Sequence, residues 1–192
     1  MTARTHDVAA ITFLGVVFLL SPLEKISITT FVLCILFNQI GGILPDIDQP
    51  TAPFWKNLPL SRPIGRLVDK TLFGGHRFIT HSILGLVMFS LLLAFLFKLL
   101  KPTSISFHLV LVSFIVGYLS HLILDSFTKE GVPWLIPMTK KLGFPPIKRL
   151  RMTTGSIIEF AVVLPAMVIF DLVLITQNYN FILIFLRNYL VR

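Results

Sequence analysis

The chain has 192 residues, of which 55% are hydrophobic and 14% are charged, and its mean hydropathy is +0.85. A soluble domain of this size could not hide so much apolar surface, because small folds leave a large share of their residues facing water. The composition therefore excludes an ordinary soluble protein and predicts one integral membrane domain over residues 1–192.

The net charge of +8 does not by itself indicate nucleic acid as a partner. Lys and Arg accumulate in the cytoplasmic loops of membrane proteins, and an excess of them is the usual signal of topology. No nucleic acid partner is predicted. The single cysteine, Cys34, lies in an apolar run and excludes an intrachain disulfide.

Apolar segments recur along the whole chain, and most approach the ~20 residues that a membrane-spanning helix needs. Five are predicted over residues 8–20, 26–44, 79–97, 105–124 and 155–176. A sixth, residues 181–191, is short and carries Arg187, so it either spans the membrane or lies in the interface. The predicted fold is all-α, a polytopic transmembrane bundle of five or six helices.

Two long connections, residues 46–78 and 125–154, are rich in proline and in basic residues. The connections between the other segment ends carry only Lys25, Lys98 and Lys101. The positive-inside rule therefore places the amino terminus and both long loops in the cytoplasm. Proline argues against long helices there, and Trp55 and Trp134 suit headgroup depth, so both are predicted to be interfacial loops.

Ionisable residues fall at the cytoplasmic end of all five segments, at one depth. Charged and imidazole groups at the edge of the hydrocarbon are costly, so their presence needs a reason. His121 and Asp125 are four residues apart and share a helix face with the small residues Gly117 and Ser113. The candidate metal ligands are His6, Asp46, Asp48, His76, His81, His121 and Asp125, with Glu159 as a ligand or general base.

Imidazole and carboxylate groups suit zinc best, with manganese or iron as alternatives, and the number of candidates allows one or two ions. A metal-activated water is a nucleophile for phosphoester cleavage. Arg77 is predicted to hold a phosphate oxygen in catalysis, and Lys148, Arg149 and Arg151 to bind substrate. His108 and Asp171 are expected to lie near the opposite membrane face, outside this site.

These residues stand in motifs that resemble a known family. L-P-D-I-D-x-P occurs at residues 44–50, G-H-R-x-x-T-H-S at 75–82 and G-Y-L-S-H-x-x-x-D-x-x-T-x-x-G-V-P at 117–133. They resemble the YdjM-like proteins of the bacterial inner membrane, described as LexA-regulated, membrane-bound, metal-dependent hydrolases. The resemblance implies a hydrolase of the inner membrane that belongs to the SOS response. Phe78 stands where the family commonly has glycine.

The sequence thus predicts a metal-dependent hydrolase at the cytoplasmic face that cleaves a phosphoester of a membrane lipid or a lipid-linked substrate. One alternative is a transporter or sensor of divalent metal ions. Another is a non-catalytic interaction protein in which the polar residues form a hydrogen-bonded plug without metal.

Overall fold

The computed structural model describes residues 1–21, 25–48, 79–136 and 140–191. Within these ranges the chain is helical, as predicted. The helices are α1 (Ala3–Leu20), α2 (Ile28–Ile43), α3 (Ile83–Leu100), α4 (Phe107–Ser126), α5 (Leu164–Gln177) and α6 (Tyr179–Asn188). A 3₁₀ turn, Leu44–Asp48, extends α2, and a π-helical turn, Glu159–Val163, leads into α5.

The helix starts follow ordinary capping chemistry. Ser27 accepts a hydrogen bond from the Thr30 backbone nitrogen at 3.1 Å, and Ser82 does the same for Gly85 at 3.1 Å. Such bonds satisfy backbone donors that the first turn leaves without partners. The Ser82 cap explains why α3 begins four residues later than the apolar pattern alone predicts.

Five of the described helices are long and apolar enough to cross a membrane. They comprise α1, α2 with its 3₁₀ turn, α3, α4, and α5 with its π-helical turn. On α3, Leu91, Phe95 and Leu99 are exposed, as a lipid-facing helix requires. In contrast, α4 buries residues along its whole length and lies at the centre of the bundle. The prediction of a multi-helix membrane protein is confirmed.

Small residues bring α2 and α4 into close contact. A side chain at Gly41 would meet the Phe114 carbonyl, and one at Gly117 would meet the Asn38 carbonyl. The Asn38 side chain donates a hydrogen bond to the Ser113 carbonyl oxygen at 3.1 Å. The small-residue face predicted for the segment with Gly117 and Ser113 is therefore the face on which α4 packs against α2.

The helices alternate in direction, so that one end of the bundle collects the ends that carry ionisable residues. The first turn of α1, the end of α2 and the end of α4 meet there, because Met1 contacts Asp125 and His121 contacts Gly42. The start of α3 and the π-helical turn before α5 join them through Tyr118–Thr80 and Thr5–Glu159 hydrogen bonds.

The loop after α4 folds back over this end of the bundle. The Trp134 carbonyl accepts a hydrogen bond from the Ile83 nitrogen at 3.0 Å, and its ring nitrogen donates to Ser126 Oγ at 2.9 Å. Single β-bridges pair Thr128 with Met152 and Val132 with Leu142. The loop is thus ordered against the starts and ends of helices. The other long loop falls outside the described residues from position 49 to 78.

At the opposite end, α6 is too short to span and packs its Phe185 ring on Phe18, with the ring centroids 4.6 Å apart. Beyond it, the two-residue strand β2 (Leu190–Val191) pairs in parallel with β1 (Ile26–Ser27). A mainly apolar cavity of about 500 Å³ lies between this end and the middle of the bundle.

The carboxylate of Asp171 lines this cavity and accepts a hydrogen bond from Thr12 Oγ1 at 3.0 Å. Thr12 is midway along α1, so Asp171 lies deeper than the outer-interface position expected for it. A partner hydroxyl from another helix reduces the cost of a carboxylate at this depth.

Candidate metal centre

Five ionisable side chains from four parts of the chain meet at the polar end of the bundle. They are arranged in two overlapping groups, in each of which the potential ligand atoms lie within 4.8 Å of one another. His121 belongs to both groups. The first group also contains His6 and Asp125, and the second contains Asp46 and His81.

The spacing within the cluster is that of ligands around one small cation. His81 Nε2 lies 3.5 Å from Asp46 Oδ1 and 3.6 Å from Asp125 Oδ2. His121 Nε2 lies 3.7 Å from each of the same two oxygens. Tetrahedral zinc with bonds of about 2.0–2.2 Å separates its ligand atoms by about 3.3–3.6 Å. These four nitrogen–oxygen separations are close to those around a zinc-sized ion, with Asp46 and Asp125 falling in different ligand groups.

The orientation of His121 supports its assignment as a candidate metal ligand. Its Nδ1 lies 2.7 Å from the Gly42 carbonyl oxygen, which makes Nδ1 the protonated nitrogen and leaves Nε2 with a lone pair. His121 Nε2 is buried and has no hydrogen-bond partner among the residues that the structure describes. A buried polar atom without a hydrogen bond is costly, and a metal ion would satisfy it.

A second position lies on the other side of Asp125. Its Oδ1 is 3.2 Å from His6 Nε2, and the Met1 nitrogen also contacts this oxygen. The His6 ring stacks on His121, with centroids 3.7 Å apart and planes 9° apart. With one oxygen directed to each position, Asp125 could contribute a ligand to both.

Asp48 is buried but belongs to neither ligand group. Its Oδ2 accepts a hydrogen bond from Thr80 Oγ1 at 2.6 Å and lies 4.0 Å from His81 Nδ1. Thr80 Oγ1 is also 3.2 Å from that nitrogen. The structure therefore places Asp48 behind His81, with Thr80 Oγ1 between the two side chains, and a role of Asp48 as a metal ligand stays a prediction.

Glu159 is also buried, and it lies outside both ligand groups. Its carboxylate accepts hydrogen bonds from Thr2, Thr5 and Gly155. Gly155 has a φ of +74°, and a side chain there would have open space around it. The role of Gly155 is therefore conformational, because a residue with a side chain would be strained at this φ.

The basic residues of the second loop separate into two kinds. Lys148 and Arg149 are exposed in a short 3₁₀ turn, where their charges can meet an anionic headgroup. Arg151 instead donates hydrogen bonds to the Pro145 carbonyl at 2.7 Å and the Pro146 carbonyl at 3.1 Å. Its guanidinium thus holds the loop together, and its role in binding substrate stays a prediction.

His76 and Arg77, a predicted ligand and a predicted catalytic residue, lie outside the described residues. His108 is exposed near the start of α4, away from the cluster, as expected.

The electrostatics of His81 reflect its two carboxylate neighbours. Burial alone would lower the pKa of this imidazole, because it disfavours the charged form. The negative charges of Asp125 and Asp46 beside the ring outweigh burial and raise its pKa above the ordinary value. A cation is therefore favoured at Nε2, whether a proton or a metal ion.

Sequence reasoning missed three groups around the cluster: the Gly42 carbonyl, the Thr80 hydroxyl and the Thr2–Thr5 pair. The Gly42 carbonyl has no signal in the sequence, because every residue carries one. Thr80 is part of the T-H-S motif beside His81, and its position next to a ligand could have indicated a supporting role.

Fold and site together define a helical membrane protein with a buried His/Asp cluster that could hold a metal ion. Comparison with known proteins agrees with this class. The chain belongs to the YdjM inner membrane protein family, whose match covers residues 1–189.

Two relatives of different origin illustrate the likeness. The inner membrane protein YdjM of Escherichia coli (strain K12) is 36% identical over 104 residues, which cover 54% of this chain and 48% of that protein. YvsG of Bacillus subtilis (strain 168) is 30% identical over 122 residues, 64% of this chain and 66% of its own length. The match thus spans about half the length of the first relative and just under two thirds of the second. No solved structure matches the chain.

Proposed function

We propose that this protein is a metal-dependent hydrolase of the inner membrane that cleaves a phosphoester of a lipid or a lipid-linked substrate. The observation that carries the proposal is the spacing of 3.5–3.7 Å between the imidazole nitrogens of His81 and His121 and the carboxylate oxygens of Asp46 and Asp125. A structural plug would need direct hydrogen bonds, which are shorter than these separations.

The ligand set and its position support the reaction class. A divalent ion at such a site supplies an activated water nucleophile and offsets negative charge on a phosphoester oxygen. Asp46 is partly exposed whereas His81 and His121 are not, so the cluster is approached from the Asp46 side. The ligands lie at the ends of spanning helices, which is the depth of lipid headgroups.

The remaining residues of the chain have supporting roles in this proposal. Asp48 and the Gly42 carbonyl hold the imidazoles of His81 and His121 in place. Lys148 and Arg149 attract an anionic headgroup to this end of the bundle. Arg77 remains predicted to hold a phosphate oxygen, and zinc remains the preferred metal, with manganese or iron as alternatives.

The experiment that tests this function measures metal content and lipid turnover in the purified protein. The wild type, loaded with Zn²⁺, Mn²⁺ or Fe²⁺ and freed of excess ions, should retain one or two ions per chain and release product from inner-membrane phospholipids. His121→Ala should lose both properties. His108→Ala, at the other end of the same helix, should keep both. A folded wild type that retains none of the three metals would refute the proposal.

The alternative of metal transport needs a polar path through the bundle. Beyond the cluster, the described residues on this route are the tightly packed Gly117, Ser113 and Asn38, followed by the mainly apolar cavity. Such lining favours a closed pocket over a path. Flux of Zn²⁺ into liposomes that is lost in His121→Ala would favour transport instead.

A further inference from the structure

The carboxylate of Glu159 is almost completely shielded from solvent, with 1% of the residue exposed. Among the described residues, its hydrogen-bond partners include no basic side chain. Its Oε1 accepts hydrogen bonds from the Thr2 backbone nitrogen at 2.6 Å, Thr2 Oγ1 at 2.8 Å and Thr5 Oγ1 at 2.7 Å. Its Oε2 accepts one from the Gly155 nitrogen at 2.8 Å. A carboxylate so fully engaged is poorly suited to act as a general base.

The partners of Glu159 identify it as a cap for a helix other than its own. Thr2 is the residue before α1, and its side chain makes no capping hydrogen bond to α1. The first turn of a helix presents free N–H groups and a partial positive charge, both of which a carboxylate stabilises. Glu159 supplies that carboxylate from the turn that leads into α5, so it ties the start of α1 to the start of α5.

The tied turn carries His6. Thr5 and His6 are neighbours in sequence, and His6 reaches Asp125 Oδ1 at 3.2 Å while its ring stacks on His121. Helix ends fray unless they are held, and a displaced first turn would move His6 away from both contacts.

We infer that Glu159 is a positioning residue, which holds the first turn of α1 so that His6 can serve as a metal ligand beside Asp125. This inference rests on the proposed function and replaces the role of Glu159 as ligand or general base. The π-helical turn at Glu159–Val163 fits it, because such turns often occur at functional sites and here aim the carboxylate at α1.

A double-mutant cycle on Zn²⁺ affinity tests the inference. Loss of a group that orients a ligand typically weakens metal binding about 10–100-fold, so Glu159→Ala should fall in this range, and His6→Ala, which removes the ligand itself, should lose at least as much affinity. If Glu159 acts through His6, the Zn²⁺ affinity of the double variant should be no lower than that of the single variant with the lower affinity. Losses that multiply in the double variant would overturn the inference. Unchanged affinity with lost hydrolysis in Glu159→Ala would identify a general base and would also overturn it.

Milder variants keep the test valid if Glu159→Ala fails to fold. Glu159→Gln keeps one oxygen acceptor for Thr2 and Thr5, and Thr5→Val removes one hydrogen bond, so both should show smaller losses of affinity in the same direction.

A second measurement needs no metal. In the Glu159 and Thr5 variants, modification by diethylpyrocarbonate, mapped by mass spectrometry, should rise at His6 relative to wild type and stay low at His121. Equal reactivity of His6 in wild type and variants would refute the positioning role. A wild type that binds none of Zn²⁺, Mn²⁺ and Fe²⁺ would instead refute the proposed function.

Discussion

At the scale of single residues, the cluster depends on groups that do not contact the metal position. Thr80 donates to Asp48 at 2.6 Å, and Asp48 in turn lies behind His81. Such supporting groups fix the direction of a ligand lone pair and increase its basicity. The cluster therefore needs a defined arrangement of its side chains in addition to the right residue types.

Thr80→Val tests this support, because it removes the hydroxyl and keeps the shape of the side chain. Zn²⁺ affinity should fall about 10–100-fold, the usual effect of removing a group that holds a metal ligand. Titration against a chelator of known affinity measures the change. The control is Thr176→Val, an exposed threonine at the other end of the bundle, whose hydroxyl donates to the Val173 carbonyl. Equal affinity in Thr80→Val and wild type would contradict this role.

The pH dependence of metal binding follows from His81. Its pKa is raised, so without metal it keeps its proton to a higher pH than a free imidazole does. A proton and a metal ion compete for Nε2; Zn²⁺ affinity should therefore be full above the His81 pKa and decline as pH falls through it. The decline should begin above the ~6.5 of an unperturbed imidazole. Affinity measured at several pH values checks this, and a flat profile would contradict it.

At the scale of helices, two glycines make opposite contributions. Gly15, on the cavity side of α1, has open space where a side chain would stand, whereas Gly117 lies against the Asn38 carbonyl. The first glycine only lowers helix propensity, and the second permits the contact between α4 and α2.

Gly15→Ala and Gly117→Ala form a matched pair that tests this difference. The free energy of unfolding should rise by about 1 kcal/mol in Gly15→Ala, because alanine favours a helix interior by that amount. It should fall by about 1–3 kcal/mol in Gly117→Ala, because overpacking displaces the backbone. Denaturation in detergent, followed by circular dichroism, measures both. Changes of the same sign in both variants would contradict this account.

Helix positions were largely predictable from the sequence, since the apolar runs are long and the membrane imposes their length. The residues at which the helices begin were less predictable. The start of α3 depends on the Ser82 cap, and α1 extends back to Ala3 because Glu159 caps it from a distant part of the chain. Local patterns contain no information on a capping group from another helix.

At the scale of the whole molecule, the sequence predicted that the ionisable ends would converge, and His6, Asp46, His81, His121 and Asp125 do meet. It could not separate Asp46 from Asp48, because a 3₁₀ turn directs residues two apart to different sides. Nor could it place Asp171, whose partner Thr12 comes from the other end of the sequence. The depth of a residue in the membrane follows from helix length, but the direction of its side chain depends on tertiary packing.

Because the five helices share one polar end, the candidate metal centre opens to one side of the membrane only. If every ligand is supplied from one surface, ions can exchange with only one of the two compartments that the membrane separates. In sealed vesicles of known orientation, EDTA, which does not cross a bilayer, should strip the metal from one population and spare the other. Equal loss from both would contradict this expectation. The supply of metal would then depend on the ion content of a single compartment, the predicted cytoplasm.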